Sequence, residues 1–511
     1  MSTWSSGYNT DLGYTFGFYR EISPEWLDFV AVSKSVTPPS GAWRYLELGC
    51  GQGYGLTLLA ALNPDHDFWG IDFNPVHINH ARNLAHAAGL TNVRFEEADF
   101  VALSTDWPVD WGQFDYITAH GIYSWLQRNV CEAIVQSINH ASKPGALVYL
   151  SYNSLPSWFS SHPIQHLMRL WQTSESLPSV QAIDTGIQRL QTLTEAQAGM
   201  TKMLPGMKAM LEKVAKHDRA YLVQEYLHDN WYPRWFDQVV EELKPAKLTF
   251  VGTATLGDLF LRSFMPQKFK DILKDYADPI VQEVMIDTLT NQSFRRDVFS
   301  RGAAPLWTIQ RQEALLQLPF ALVNRPPAEE EIKFKTSLGE LKGKSEIYNL
   351  FYDQLATGPK TARELMQLPT EKPLGLGDIM QALSFMLNAG HITFYRPPSD
   401  RQPALALNRA IAIAAAHGAP YRFAIASQLG HVITVSDVDL IFLAATFEQS
   451  NAPAADLGKA LTERLMAMGK GLTQQGQPLT TRETLMPFAT ELAAAFLQKT
   501  LPKWRDLGIC D

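Results

Sequence analysis

The sequence predicts a doubly wound α/β domain followed by a mostly helical C-terminal region. Three observations predict it. A glycine-rich turn follows the first apolar strand, apolar strands then alternate with amphipathic helical stretches, and the chain beyond residue 335 reads as mostly helical. The turn lies in Trp43-Arg44-Tyr45-Leu46-Glu47-Leu48-Gly49-Cys50-Gly51-Gln52-Gly53. Glycine lets the backbone turn sharply and leaves no Cβ between chain and ligand, so a bulky cofactor can lie against the main chain. The dinucleotide fingerprint G-x-G-x-x-G needs a further glycine three positions after its second. Those positions hold Tyr54 and Leu56, so that pattern fails.

The next apolar strand, Phe68-Trp69-Gly70-Ile71-Asp72, closes on a carboxylate about twenty residues beyond the glycines, with Phe73 beside it. A βαβ unit presents an acid there to ribose hydroxyls. A third strand, Val93–Glu97, ends at Ala98-Asp99-Phe100. A fourth, Phe114–Thr118, runs into Ala119-His120-Gly121-Ile122-Tyr123-Ser124-Trp125, and a fifth spans Gly145–Ser151. Amphipathic stretches such as Val76–Ala88 and Asn129–Ala141 lie between them, as a parallel sheet covered by helices requires. Any one of these carboxylates can be a solvated strand-end residue; their order on successive strands points to one ligand.

At 511 residues the chain holds two or three domains, and 46% hydrophobic content is ample for real cores. A net charge of −8 argues against an electrostatic nucleic-acid binder, so no nucleic-acid partner is expected. Cys50, Cys131 and Cys510 are too far apart for a disulfide framework or a metal site, and no metal is expected. The N-terminus lacks the basic and apolar regions of a signal peptide, and no apolar run is long enough to span a bilayer. A soluble, cytoplasmic protein without a membrane span is expected. A homo-oligomer stays open.

Residues 1–175 read as the core of the cofactor-binding domain, with an aromatic N-terminal extension containing Tyr8, Tyr14, Phe16 and Tyr19. Residues 176–325 read as a helical insertion and a region that completes the sheet. The segments Lys247–Gly252 and Arg295–Ser300 are expected as antiparallel strands, which makes roughly 160–230 an insertion over the site; a separate helical domain is the alternative. A proline and acidic linker follows near Arg325–Glu331. Residues 335–511 read as a winged-helix-like part (helices Lys344–Leu355, Thr361–Leu368 and Leu376–Asn388, then strand Ile392–Tyr395) and an Ala-rich helical remainder. Gly377–Leu383 in the third helix has no Lys or Arg to touch phosphate or guanine, which favours protein interaction or internal packing over DNA binding.

Glu47-x-Gly49-x-Gly51-x-Gly53 resembles motif I of the class I S-adenosylmethionine methyltransferases. The chain as a whole resembles bacterial methyltransferases with a methyltransferase regulatory domain, among them the rickettsial outer-membrane-protein lysine methyltransferases. Gly70-Ile71-Asp72-Phe73-Asn74-Pro75, His120–Trp125, Ser151-Tyr152-Asn153-Ser154-Leu155-Pro156-Ser157-Trp158, Tyr221–Leu227 and Leu501–Gly508 carry that likeness. Ser157 departs from the Pro-Gly-Trp usual in the group. The resemblance implies a Rossmann-like class I methyltransferase fold with S-adenosylmethionine as cofactor. It implies cofactor contacts at Glu47, Gly49, Gly51, Gly53, Asp72, Phe73, Asp99, Phe100 and His120, with Asp99 accepting from the adenine amine and Phe100 stacking on the ring. Ligands bind such sheets at the carboxyl ends of the strands. That makes His120, Tyr123, Trp125, Tyr152, Asn153 and Trp158 pocket candidates, with His120, Tyr152 and Tyr14 as catalytic ones.

Methyl transfer from a sulfonium is an in-line displacement that rests on alignment and exclusion of water, so no catalytic triad is required. A lysine acceptor must first lose a proton, which an apolar pocket favours by desolvating the ammonium. The leading expectation is methylation of protein lysine side chains. A small-molecule or envelope-saccharide O-methyltransferase and a regulatory scaffold that only binds S-adenosylmethionine are the alternatives.

Overall fold

The computed structural model describes residues 16–204, 206–327 and 331–511. The expectations placed on Tyr8 and Tyr14 lie outside the described residues. A seven-stranded sheet runs in the order β3-β2-β1-β4-β5-β7-β6. Its strands are β1 (Arg44–Leu48), β2 (Asp67–Asp72), β3 (Val93–Glu97), β4 (Phe114–Ala119), β5 (Ser142–Asn153), β6 (Thr249–Thr253) and β7 (Phe294–Ser300). The first five are parallel, and β7 and β6 complete the sheet antiparallel, as expected from the sequence. The winding reverses beside β1, which pairs with β2 on one side and β4 on the other, so a crevice opens at the carboxyl ends of β1 and β4.

Side chains alternate across these strands because the strand period is two. Tyr45, Phe68, Tyr116 and Tyr149 enter one core, while Leu46, Leu48, Ile117 and Leu150 enter another. Helix α1 (Pro24–Ser33) packs on the first face, and α4 (Phe100–Thr105) and α5 (Arg128–Ala141) contribute to the second. Helices α2 (Tyr54–Leu62) and α3 (Pro75–Ala87) follow β1 and β2; Asn74 caps α3 by accepting from the Val76 amide, with Pro75 at the first helical position.

After β5 come α6 (His162–Glu175), α7 (Ser179–Glu195), α8 (Gly199–Met203), α9 (Met207–Val214) and α10 (Arg219–Tyr226). Met168, Ile183, Leu190 and Val223 belong to an apolar core of their own. A bundle with its own core is stiff enough to present residues of α10 toward the sheet. Asp218 fixes where α10 begins, its carboxylate accepting from the Ala220 and Tyr221 amides.

The C-terminal region contains helices Ser345–Ala356, Ala362–Met366 and Leu376–Ala389 and the strand Ile392–Phe394. That strand and Lys360–Thr361 flank Pro319–Leu322 in a three-stranded antiparallel sheet. The third helix buries Ile379, Leu383, Met386 and Leu387, so most of its apolar surface is spent on internal packing. The Ala-rich remainder differs from the purely helical expectation: Phe423–Ala426 pairs with His431–Thr434, and Leu472–Gln474 with Gln477–Leu479. The second hairpin turns on Gln475 and Gly476, both at positive φ, the geometry of a tight two-residue turn. A further hairpin, Lys333–Thr336 with Gly339–Lys342, follows the linker. The region docks on the α/β domain: Tyr54, Leu58 and Leu84 share one core with Ile411, Leu440 and Trp504. Among the described residues, no helix is long and apolar enough to cross a membrane.

Candidate active site

Gly49, Gly51 and Gly53 have φ of 73°, 53° and 68°, a region that other residues rarely enter. At Gly53 a Cβ would also lie 2.3 Å from the Ala81 Cβ, and at Gly49 it would lie 2.9 Å from the Ile122 side chain. The loop therefore holds its shape only with glycine, and it rests directly against the segment that follows β4. Amides of Gly49 and Cys50 donate to the Ile71 carbonyl at 2.8 and 3.0 Å. Asp72 secures the loop with one carboxylate oxygen, accepting from the Gly51 amide at 2.9 Å. Its other oxygen accepts from the Asn74 amide at 2.9 Å and lies 3.3 Å from His77 Nδ1.

Glu47 is buried at the end of β1, and its Oε2 has no hydrogen-bond partner. Burial, and after it the nearby Asp72 charge, pushes its carboxyl up to about 8. An unpaired buried carboxyl invites a ligand donor, because an unsatisfied polar group costs about 1–3 kcal/mol. A glycine cradle, an anchored carboxylate at the end of β2 and an unpaired one at the end of β1 suit a nucleoside bearing a cationic amino-acid end. S-Adenosylmethionine has that chemistry.

Phe73, half-buried, follows Asp72 at the crevice. Asp99 is engaged as the cap of α4, accepting from the Val101 amide at 2.6 Å. Phe100 departs from the expectation. It is 7% exposed and belongs to the apolar core that contains Trp69 and Leu103, so it offers a ligand little ring face.

His120 follows β4 with Nδ1 2.9 Å from the Tyr149 hydroxyl and 3.3 Å from Ser151 Oγ. Tyr19 of the N-terminal segment stacks on its ring, centroids 3.7 Å apart. Burial, reinforced by the Arg296 charge, lowers its pKa to about 3. It is therefore a neutral imidazole near pH 7, suited to orienting a partner and poor at taking a proton. Phe16 packs edge-on against Tyr54 and His80, so the described end of the aromatic segment crosses the start of α2.

A cavity of about 520 Å³ opens beside His120. Tyr19, Trp125, Trp158, Tyr226 and Phe294 form its aromatic walls, and Asn153, Glu225 and Arg296 supply polar groups. Trp158 is held by donating its indole N–H to the Ser293 carbonyl at 2.6 Å. Backbone bonds from Asn153 to Ser124 Oγ and from Arg234 to the Asn153 carbonyl fix the end of β5.

Two expected pocket residues face elsewhere. Tyr152 alternates with Ser151 and Asn153, so its ring points into the opposite face of the sheet, where its hydroxyl donates to Asp297 at 2.6 Å. Tyr123 likewise enters that core and donates to Glu242 at 2.7 Å. Neither lines the cavity, and the catalytic expectation for Tyr152 is corrected on that ground. Glu225 was missed. Its signal is an acid with tyrosines four residues before and one after it, in a helical stretch.

Residues 40–232 match the family model for a methyltransferase domain, and residues 218–301 match that for a predicted methyltransferase regulatory domain. The protein sll1526 of Synechocystis sp. is 33% identical over 518 residues, covering 99% of this chain and all of that one. RP789 of Rickettsia prowazekii is 28% identical over 279 residues, covering 54% of this chain and 49% of its own. The solved structure of PKMT2 from Rickettsia typhi in complex with AdoHcy superposes with a TM-score of 0.68 at 20% identity, over 97% of this chain and 99% of that one. The glycine cradle, the sheet order and these matches agree: the chain belongs to the class I S-adenosylmethionine-dependent methyltransferases that carry a methyltransferase regulatory domain.

Proposed function

We propose that this methyltransferase transfers methyl groups to lysine side chains of a protein, in the aromatic cavity beside His120. The observation that carries the reading is the cavity itself: aromatic faces surround a buried carboxyl one of whose oxygens, Glu225 Oε2, has no hydrogen-bond partner. Bound S-adenosylmethionine supplies a methyl group on a positively charged sulfur. The glycine loop and the carboxylates of Glu47 and Asp72 would hold it, with Phe73 and Asp99 at the rim. Gly49 abuts Ile122, two residues beyond His120, so the cradle and the cavity are neighbours. Aromatic walls pack against a lysine stem and favour its cationic head by cation–π attraction, worth roughly 0.5–2 kcal/mol per good contact. They also exclude water, which helps the ammonium shed its proton. The likeness of Tyr221–Leu227 and Ser151–Trp158 to lysine methyltransferases lends the acceptor its identity.

Incubation with methyl-labelled S-adenosylmethionine and a cell lysate should place label on protein, and hydrolysis of that protein should release N-methylated lysine. Label confined to saccharide or small-molecule acceptors would replace the lysine reading with O-methyl transfer. Asp72→Ala should weaken S-adenosylhomocysteine binding by about 1–3 kcal/mol in calorimetry, because the Gly51 and Asn74 amides lose their acceptor. Unchanged affinity would remove Asp72 from the cofactor site.

A further inference from the structure

We propose that Glu225 is the carboxylate that receives the acceptor amine in this cavity and takes the proton from its ammonium before methyl transfer. The inference rests on the amine-acceptor reading above and names a residue and a step within it. Glu225 lies one residue from the end of α10, and its Oε2 is buried without a hydrogen-bond partner. The Tyr221 hydroxyl, one helical turn earlier, also acts on it, and Asn153 at the end of β5 lines the same cavity with its Nδ2 likewise without a partner. Across the same cavity Arg296 Nε also lacks a partner, while its guanidinium sits 4.7 Å from the Phe294 ring centroid. A buried acceptor and a buried donor left open in one aromatic cavity call for a ligand that carries both complements. A lysine in a polypeptide does: its ammonium donates to Glu225, and a backbone carbonyl accepts from Arg296.

The alternatives within the cavity are poor bases for this step. His120 is held neutral with a pKa of about 3, and burial raises Tyr221 far above its ordinary value. Burial pushes the Glu225 carboxyl up to about 7, against the neighbouring polar groups of Tyr221 and Asn153 that pull it down. That narrows the gap to an ammonium whose own pKa falls on desolvation. The charged and titratable groups facing it are Tyr221 and Tyr226 of its helix, His217 before it, His120, Tyr19 and Arg296.

In the step, an N–H bond of the ammonium breaks and an O–H bond forms on Glu225. The freed lone pair forms the N–C bond to the donor methyl while the C–S bond breaks, its electron pair remaining on sulfur. Glu225 then returns its proton to solvent.

The test compares the full-length wild type with Glu225→Gln and Glu225→Asp, each saturated with S-adenosylhomocysteine. Binding of n-butylammonium is followed by calorimetry and by tryptophan fluorescence from the cavity. Glu225→Gln should lose about tenfold or more in butylammonium affinity and Glu225→Asp should retain most of it, with S-adenosylhomocysteine affinity unchanged and no fall in melting midpoint. Where a lysine-containing acceptor is labelled, kcat should fall about 10²-fold or more in Glu225→Gln, and the wild-type rise of rate with pH through about 7 should vanish. If lysine is methylated but Glu225→Gln keeps its kcat and pH limb, this inference is wrong and the lysine reading stands. If no lysine is methylated yet butylammonium binds through Glu225, the cavity is an amine site and the lysine reading fails. If Glu225→Asp also loses all binding with a lowered melting midpoint, Glu225 is structural and the inference is overturned.

Discussion

Arg295→Met is expected to destabilise the protein by about 3–5 kcal/mol, measured as a fall in the chemical-denaturation midpoint at neutral pH. Arg295 on β7 is 4% exposed and pairs with Asp287 at 2.6 Å, Asp297 at 2.8 Å and Glu283 at 3.4 Å. Its guanidinium also lies 4.1 Å from the ring centroid of Phe236, a residue of the core beneath. One cation thus ties the last strands of the sheet to the helix Pro279–Thr290. Asp297 and Asp287 are 0% and 1% exposed, so removing the arginine leaves their carboxylates buried without a counter-charge. Those groups escape by binding protons. Burial already raises both, Asp287 to about 7. The loss should therefore be smaller at pH 5 than at pH 8, because the unfolded chain releases these protons near pH 4 and the variant keeps them longer. Tyr152→Phe removes only a hydroxyl donor to Asp297 and should cost about 1–2 kcal/mol, with little change in methyl transfer. A cost below about 1 kcal/mol for Arg295→Met would show that the cluster contributes no net stability.

Tyr152 and His120 also show where sequence reasoning ends. Both sit at carboxyl ends of adjacent strands, and a motif cannot say which face of the sheet looks onto the site. The register does: Ser151 and Tyr149 reach the His120 imidazole, so Tyr152, one residue from Ser151, must point away. The glycine loop was legible because its chemistry is local. Three positive-φ turns within five residues leave a pattern that survives without any knowledge of the tertiary structure. Glu225 was not legible in that way. It reaches the cavity from a separate helix, 72 residues along the chain from Asn153, and only packing of the α6–α10 bundle over the end of β5 brings them together. The missed hairpins are a different case. Strands of three or four residues joined by tight turns carry too few alternations to stand out from an Ala-rich helical background.

The free enzyme should lose stability as pH rises from about 4.5 to about 8, and Glu47→Gln should remove the share of that slope that Glu47 adds to those of Asp28, Glu225 and Asp287, which burial raises to about 7. The motivation is the Glu47 carboxyl, raised from its ordinary value to about 8 by burial and by Asp72. Between the two values the unfolded chain has released the proton while the folded chain still holds it, so the folded state is disfavoured further with each step up in pH. Each pH unit in that window costs up to about 1.4 kcal/mol, and the penalty stops growing once the folded carboxyl also ionises. Glu47→Gln keeps the shape and carries no charge, so the variant should melt above the wild type at pH 8 and close to it at pH 5. Ligand binding reverses the sign of the effect. A cationic amino-acid end beside Glu47 favours the carboxylate, so binding S-adenosylmethionine at pH 7 should release a proton. Calorimetry in buffers of different ionisation enthalpy measures that release, and the glutamine variant should bind without it and more weakly. A Glu47→Gln variant with the same pH dependence of melting as the wild type, together with a wild-type binding enthalpy independent of buffer, would place Glu47 outside the cofactor site and make its burial a matter of packing alone.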